Sequence, residues 1–225
     1  MSFFNFAWQW VTMASHWSGS SGVPARVIEH LVYTALVMAI SIAIALPVGV
    51  WIGHTGRGGF AIISLANIWR AVPTLGLLIL AAVLSGAANW AWLIPLIALA
   101  IPPILVNAYE GVLGVDADLK DAAAGMGMTP WQVLYKVEIP VALPLILLGL
   151  RIATIQVVST ATIAAYISLG GLGRYIIDGL ATNNYGEVAG GALLVVVLAL
   201  LVQFGFVGLR RLIVPAGLRQ QTRQS

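Results

Sequence analysis

The side chains able to do chemistry in this chain are few and unevenly placed. Three of its eight carboxylates, Asp116, Asp118 and Asp121, stand in one short stretch, and Glu138 follows them. Both lysines, Lys120 and Lys136, flank or lie within the same segment, "DAAAGMGMTPWQVLYKVEIP" from Asp121 to Pro140. There is no cysteine, so thiolate metal sites and disulfides are excluded. His30 and His54 have neither Cys nor a paired carboxylate at metal-ligand spacing and read as satisfied interfacial histidines, with His16 on a polar helix face. "GGLGR" (170–174) lacks the G-x-x-x-x-G-K-[ST] pattern of a phosphate loop. It reads instead as a turn into a short re-entrant helix, with Arg174 and Asp178 spaced i,i+4. The chemistry left to the central segment is contact and charge rather than bond-making.

The elements that carry these groups are set by composition. Sixty per cent of the 225 residues are hydrophobic and 8% are charged, against about 25% charged in a soluble domain. Runs free of Asp, Glu, Lys and Arg cover 30–56, 71–109, 152–173 and 188–209. A bilayer crossing takes about 20 apolar residues at about 1.5 Å each. The 71–109 run is too long for one helix, and "SGAANWAW" (85–92) divides it. The chain is therefore expected to be an all-α polytopic membrane protein, because in lipid a helix satisfies its own backbone, and the alternation of a membrane barrel is absent.

Five spans are expected, at 27–53, 60–84, 91–111, 144–167 and 188–209, making a five-span domain of 27–209 with a cytoplasmic segment 112–143 and a tail 210–225. Pro73 should kink the second span by removing a backbone donor. Residues 1–26 form a separate piece. Phe3, Phe6, Trp10, Met13 and Trp17 share one face and Asn5, Gln9, Thr12 and His16 the other, as in an amphipathic helix lying in the membrane interface. No basic region opens the chain as in a signal peptide, the first positive charge being Arg26. Arg57, Lys120, Lys136, Arg210, Arg211, Arg219 and Arg223 fall on one side of the spans, against Arg26 and Arg174 on the other. The positive-inside rule makes the first side cytoplasmic, with the N-terminus outside and the C-terminus inside. The net charge of +3 is thus a matter of orientation, not of nucleic-acid binding.

The cytoplasmic segment is punctuated as two short helices. Asp116 or Asp118 can cap the first, and Gly125 and Gly127 can end it. Thr129–Pro130 then supplies an N-cap followed by Pro at the first helical position, and the second helix should stop near Pro140. Ala122, Ala123 and Ala124 make a surface without bulk, while Trp131, Leu134 and Tyr135 offer anchors of the kind that dominate interfaces. The segment reads as a docking piece.

It resembles the "EAA" loop, E-A-A-x3-G-x9-I-x-L-P, of the permease subunits of binding-protein-dependent ATP-binding-cassette importers. Ala122, Ala123, Gly127 and Pro140 are identical to that pattern, and Asp121, Val137 and Ile139 are conservative replacements at the same spacing. The stretches "RAVPTLGLLIL" (70–80), "IPPILVNAYEGVLGVD" (101–116) and "ISLGGLGRYIIDGL" (167–180) are similar to the osmoprotectant branch. That branch imports glycine betaine, choline, carnitine or proline betaine; methionine-type permeases share the five-span layout and are the alternative. The resemblance implies the type I importer permease fold and a subunit that is not an enzyme and needs no cofactor. It implies as partners two copies of a cytoplasmic ATPase, a second permease subunit, identical or homologous, and an external solute-binding protein. It also implies that the loop is the coupling helix seated in a groove of the ATPase.

A stand-alone ion-coupled carrier or membrane enzyme is the reading from another class. It would need internal repeats with buried carboxylates, or catalytic groups clustered at one depth, and the expected span interiors hold neither. Arg70 and Arg151 fall inside expected spans, where charge is costly and points to a pathway or a partner. Arg70, next to Trp69 and Pro73, is assigned to the pathway, and Arg151 to snorkelling or to pairing with the coupling region. Asn107 and Tyr109, with Glu110, end the third span and are candidates for the inner mouth. Trp69, Tyr109 and Tyr166 are candidates for weak aromatic contacts to a quaternary ammonium.

Overall fold

Apolar periodicity without strand signals produces helices throughout. The computed structural model describes residues 3–86, 90–167 and 169–214, with the side chains of Asn67 and Arg70 outside that description. Helix α1 (Phe3–Thr12) is followed by a 3-10 turn at Ala14–Trp17, and α2 (Val23–Thr55) is the longest uninterrupted α-helix. Then come α3 (Gly59–Arg70), α4 (Thr74–Leu84), α5 (Leu93–Leu113), α6 (Ala117–Gly125) and the single turn α7 (Pro130–Val133). A π turn at Leu134–Glu138 leads into α8 (Ile139–Thr160), a 3-10 stretch at Ala161–Ile167, α9 (Gly173–Ala181) and α10 (Tyr185–Ile213).

Among the described residues, four helical stretches are long and apolar enough to cross a membrane: Val23–Thr55, Leu93–Leu113, Pro130–Ile167 and Tyr185–Ile213. The stretch 60–84 departs from expectation. Pro73 does more than kink it: α3 ends at Arg70, and Pro73 is the N-cap of a separate α4. Pro140 departs in the opposite sense, since the helix runs straight through it. The π turn just before it, in which Ile139 N–H reaches back to Leu134 O, locally relaxes the backbone where Pro140 can neither donate nor tolerate the usual crowding.

The chain packs as two compact units. One comprises Met1–Ala39, Val72–Leu99 and Thr154–Val202, the other Ile40–Ala71, Ala100–Ala153 and Gln203–Ser225. In the first, Trp10, Val23, Val158, Leu172, Tyr175 and Leu198 form a buried cluster. Helix α1 therefore does not lie free as an amphipathic surface helix: Ala7 and Trp10 are buried in this unit, while Phe3, Phe4 and Trp8 face outward. In the second, Ala108, Val112, Leu134, Ala142 and Ile146 form the core. Lipid offers little hydrophobic drive between helices, so close approach over small residues does the packing. A Cβ on Gly49 would stand 2.7 Å from Leu105 O, and one on Gly149 would stand 2.7 Å from Pro103 O. Over its most apolar stretch helix α5 is 56% buried, against 6% for α10.

Candidate functional site

The coupling candidate is built from caps that the sequence announces. Asp116 Oδ1 accepts from Asp118 N at 2.9 Å and starts α6. The helix closes in a Schellman arrangement: Gly127 N donates to Ala124 O at 2.9 Å and Met128 N to Ala123 O at 3.2 Å. Gly127 sits at φ +84, the left-handed region, so the elbow demands glycine for its backbone. A Cβ there would meet nothing within 4 Å, so the demand is conformational rather than steric. Thr129 and Gln132 then form a reciprocal capping box around Pro130 at the first helical position.

Beyond the elbow the faces separate. Trp131 is 55% exposed and Tyr135 63%, their rings 6.0 Å apart, with Trp51 of α2 5.6 Å from Trp131. These three aromatics border an apolar groove of about 580 Å³ that also takes in Leu134, Ile139 and Leu143. Asp121, Ala122 and Ala124 are exposed and Ala123 is buried. Val137, Ile139 and Pro140 are half-buried. Leu134 does not serve as an exposed anchor, because at 2% exposed it roots the segment in the second unit's core. The segment thus presents small and aromatic side chains outward on a base that is firmly packed.

Glu138, fully buried, joins three elements. His54 Nδ1, in the last turn of α2, donates to Glu138 Oε2 at 2.6 Å, and Lys120 Nζ of α6 lies 3.7 Å from Oε1. The expectation for His54 missed this partner, because 84 residues separate the two side chains and no local pattern links them. His30 is a satisfied histidine, buried and donating to Val158 O at 2.9 Å. Among the described residues no group of His, Cys, Asp and Glu could hold a metal ion.

The other candidates scatter. Trp69 is half-buried at the end of α3, and the side chain of Arg70 lies outside the described residues. Pro73 is exposed, and Tyr166 is 58% exposed in the 3-10 stretch after α8. Asn107 does not end its helix, which runs on to Leu113; its Nδ2 donates to Pro103 O at 2.8 Å. Tyr109 is buried, and its hydroxyl occupies the space where a Cβ on Gly59 would stand, so it packs rather than presenting a ring. Arg151 pairs with α10 and not with the coupling segment: its Nε donates to Gln203 Oε1 at 2.7 Å.

In the first unit the glycine loop is clasped by α2. Gly171, at φ +82, donates its N–H to Glu29 Oε2 at 2.7 Å, and Arg26 Nη1 reaches the same oxygen at 2.9 Å. Arg174 Nη2 and Asp178 Oδ1 pair at 2.6 Å on α9, as their spacing suggested. Tyr175 donates to Ser21 O at 2.7 Å, and burial pushes its phenol up from the ordinary value.

The long apolar helices, with the capped elbow between two of them, are those of a multi-pass membrane protein. The chain belongs to the family of binding-protein-dependent transport system inner membrane components, whose model matches residues 29–217. The chain is 35% identical over 191 residues, covering 85% of it and 88% of the relative, to the glycine betaine/carnitine/choline transport system permease protein OpuCB of Bacillus subtilis (strain 168). It is 33% identical over 192 residues, 85% of the chain and 88% of the relative, to the choline transport system permease protein OpuBB of the same organism. A solved inward-facing structure of the MetNI methionine ABC transporter superposes with a TM-score of 0.73 at 26% identity, over 86% of this chain and 96% of that one. The fold is therefore that of a type I importer permease, placed in the bacterial inner membrane.

Proposed function

We propose that this chain forms the translocation path of an ATP-driven importer for a small osmoprotectant such as glycine betaine, choline, carnitine or proline betaine. The observation that carries the mechanism is the capped elbow at 117–138, which exposes Ala122, Ala124, Trp131 and Tyr135 within the stretch that resembles the family's coupling motif. Two cytoplasmic ATPases dock on these elbows, one on each of two permease subunits, identical or homologous, and an external binding protein delivers the solute. The chain itself is not an enzyme; ATP is hydrolysed by the partner. Closure of the ATPase pair displaces the elbows and rocks the bundles between inward- and outward-facing states.

Five crossings, with the N-terminus outside and 112–143 and the tail inside, place the elbow on the ATPase side. Asp121, Ala122, Ala123, Gly127, Trp131, Val137, Ile139 and Pro140 make the coupling surface, and Trp69, Arg70, Pro73, Asn107 and Tyr166 contribute to the path. Tyr109, being buried, supports the wall behind it. The likeness to the methionine transporter favours a second reading, an amino-acid importer, at lower identity than the osmoprotectant relatives.

Co-purification of the membrane complex tests the docking reading. The ATPase should be retained by the wild-type permease and largely lost from Trp131→Ala, since truncating an interface hot spot costs about 2 kcal/mol or more. Full retention by that variant would remove the elbow from the interface.

A further inference from the structure

Glu138 is the only charged side chain among the described residues that is fully buried, at 1% exposed. It lies at the variable position of the coupling motif, between Val137 and Ile139. Its two oxygens are engaged separately. Oε2 takes the short hydrogen bond from His54 at the end of α2, and Oε1 faces the Lys120 ammonium on α6 at 3.7 Å. The latter distance exceeds a hydrogen bond, so the link to α6 is electrostatic and draws its strength from the low dielectric around a buried carboxylate. A carboxylate removed from water at a cost of several kcal/mol is tolerable only with such compensation.

Ala123 is the only buried residue of helix α6, which packs against α7 and the π turn, and a Cβ on Gly127, at the elbow that joins α6 to α7, would meet nothing within 4 Å. A push delivered to α6 could be absorbed by bending at that elbow unless a second tie crosses it. Glu138 is rigidly mounted, at the end of the π turn whose other buried residue is the core side chain Leu134.

We propose that Glu138 is a positioning residue for transport, tying α6 through Lys120, and the end of α2 through His54, to the start of α8. Displacement of the elbow then reaches both long helices as one rigid movement instead of being lost in the hinge. This rests on the reading of the elbow as the ATPase docking surface. It assigns a role to a residue that touches neither solute nor ATPase.

The complete transporter, with its ATPase and binding protein, is reconstituted in proteoliposomes, and ATP hydrolysed per solute molecule taken up is measured. Glu138→Gln keeps an acceptor for His54 but removes the charge that holds Lys120. It should raise the ratio by about tenfold, the scale of a lost ion pair between a buried and a partly exposed charge. Lys120→Gln should do the same, and the double variant should add nothing further, because the two act through one contact. Asp118→Asn, which removes from α6 the same negative charge that Glu138→Gln removes from the π turn, should leave the ratio at the wild-type value. Hydrogen exchange on the permease alone gives a second readout: amides of 117–125 should exchange faster in Glu138→Gln. If Glu138→Gln does not reach the membrane, Lys120→Gln carries both measurements. An unchanged ratio, or effects of the two variants that simply add, overturns the inference. Because ATPase retention is scored separately through Trp131→Ala, loss of the docking reading is distinguishable from loss of this one.

Discussion

The indole of Trp10 fills the space that Gly190 leaves on α10: a Cβ at 190 would stand 2.6 Å from the ring's Cδ2. The same ring stacks on His16 at 4.2 Å and meets the edge of Tyr175 at 4.8 Å. Helix α1 is thus held by one aromatic plug. Gly190→Ala should overpack the notch, cost about 1–3 kcal/mol and loosen α1. Limited proteolysis between residues 18 and 22 should quicken in that variant, and an unaltered cleavage rate would show that Trp10 is not the plug.

At the elbow the demand is on the backbone. A non-glycine residue in the left-handed region costs about 1–2 kcal/mol, and a β-branched one more. Gly127→Val should therefore insert normally, bind the ATPase weakly and transport nothing. Wild-type uptake by that variant would contradict the coupling assignment.

Two neighbouring residues of the docking segment should behave oppositely. Leu134→Ala opens a cavity in a packed core and should destabilise the permease by about 2–5 kcal/mol. Trp131→Ala removes an exposed ring and should change stability by about 0.5 kcal/mol or less, while losing the ATPase. Thermal unfolding of the two purified variants, scored beside ATPase retention, checks the pair. Equal loss of stability in both would show that Trp131 is a core residue.

Orientation is directly measurable because the chain has no cysteine of its own. A single cysteine at Ser20 should label with an impermeant reagent in intact cells, and a reporter fused after Ser225 should be active only in the cytoplasm. Both ends reporting the same side would exclude an odd number of crossings.

What could be read ahead of the structure was local. Asp116, Gly127 and the Thr129–Pro130 pair announce caps and a turn through their own backbone preferences, and each does so in place. Proline was the less dependable guide. Pro73 separates two helices while Pro140 sits within one, because the π turn at Leu134–Glu138 relaxes the crowding that would otherwise end it. Hydropathy alone could not foresee that turn. Burial was the other gap. In an apolar chain, exposed and buried leucines or tyrosines look alike, so Leu134 and Tyr109 read as presented side chains when both are packed inside. The ties His54–Glu138, Glu29–Gly171 and Arg151–Gln203 join distant segments, and no periodicity encodes them.

What the complete complex carries across the membrane decides the assignment. Uptake of labelled glycine betaine, choline and methionine, measured at high osmolarity in cells expressing permease, ATPase and binding protein, addresses it most directly. Saturable uptake of glycine betaine or choline, abolished when ATP is depleted, is the expected result. Saturable methionine uptake with no betaine or choline transport would contradict it.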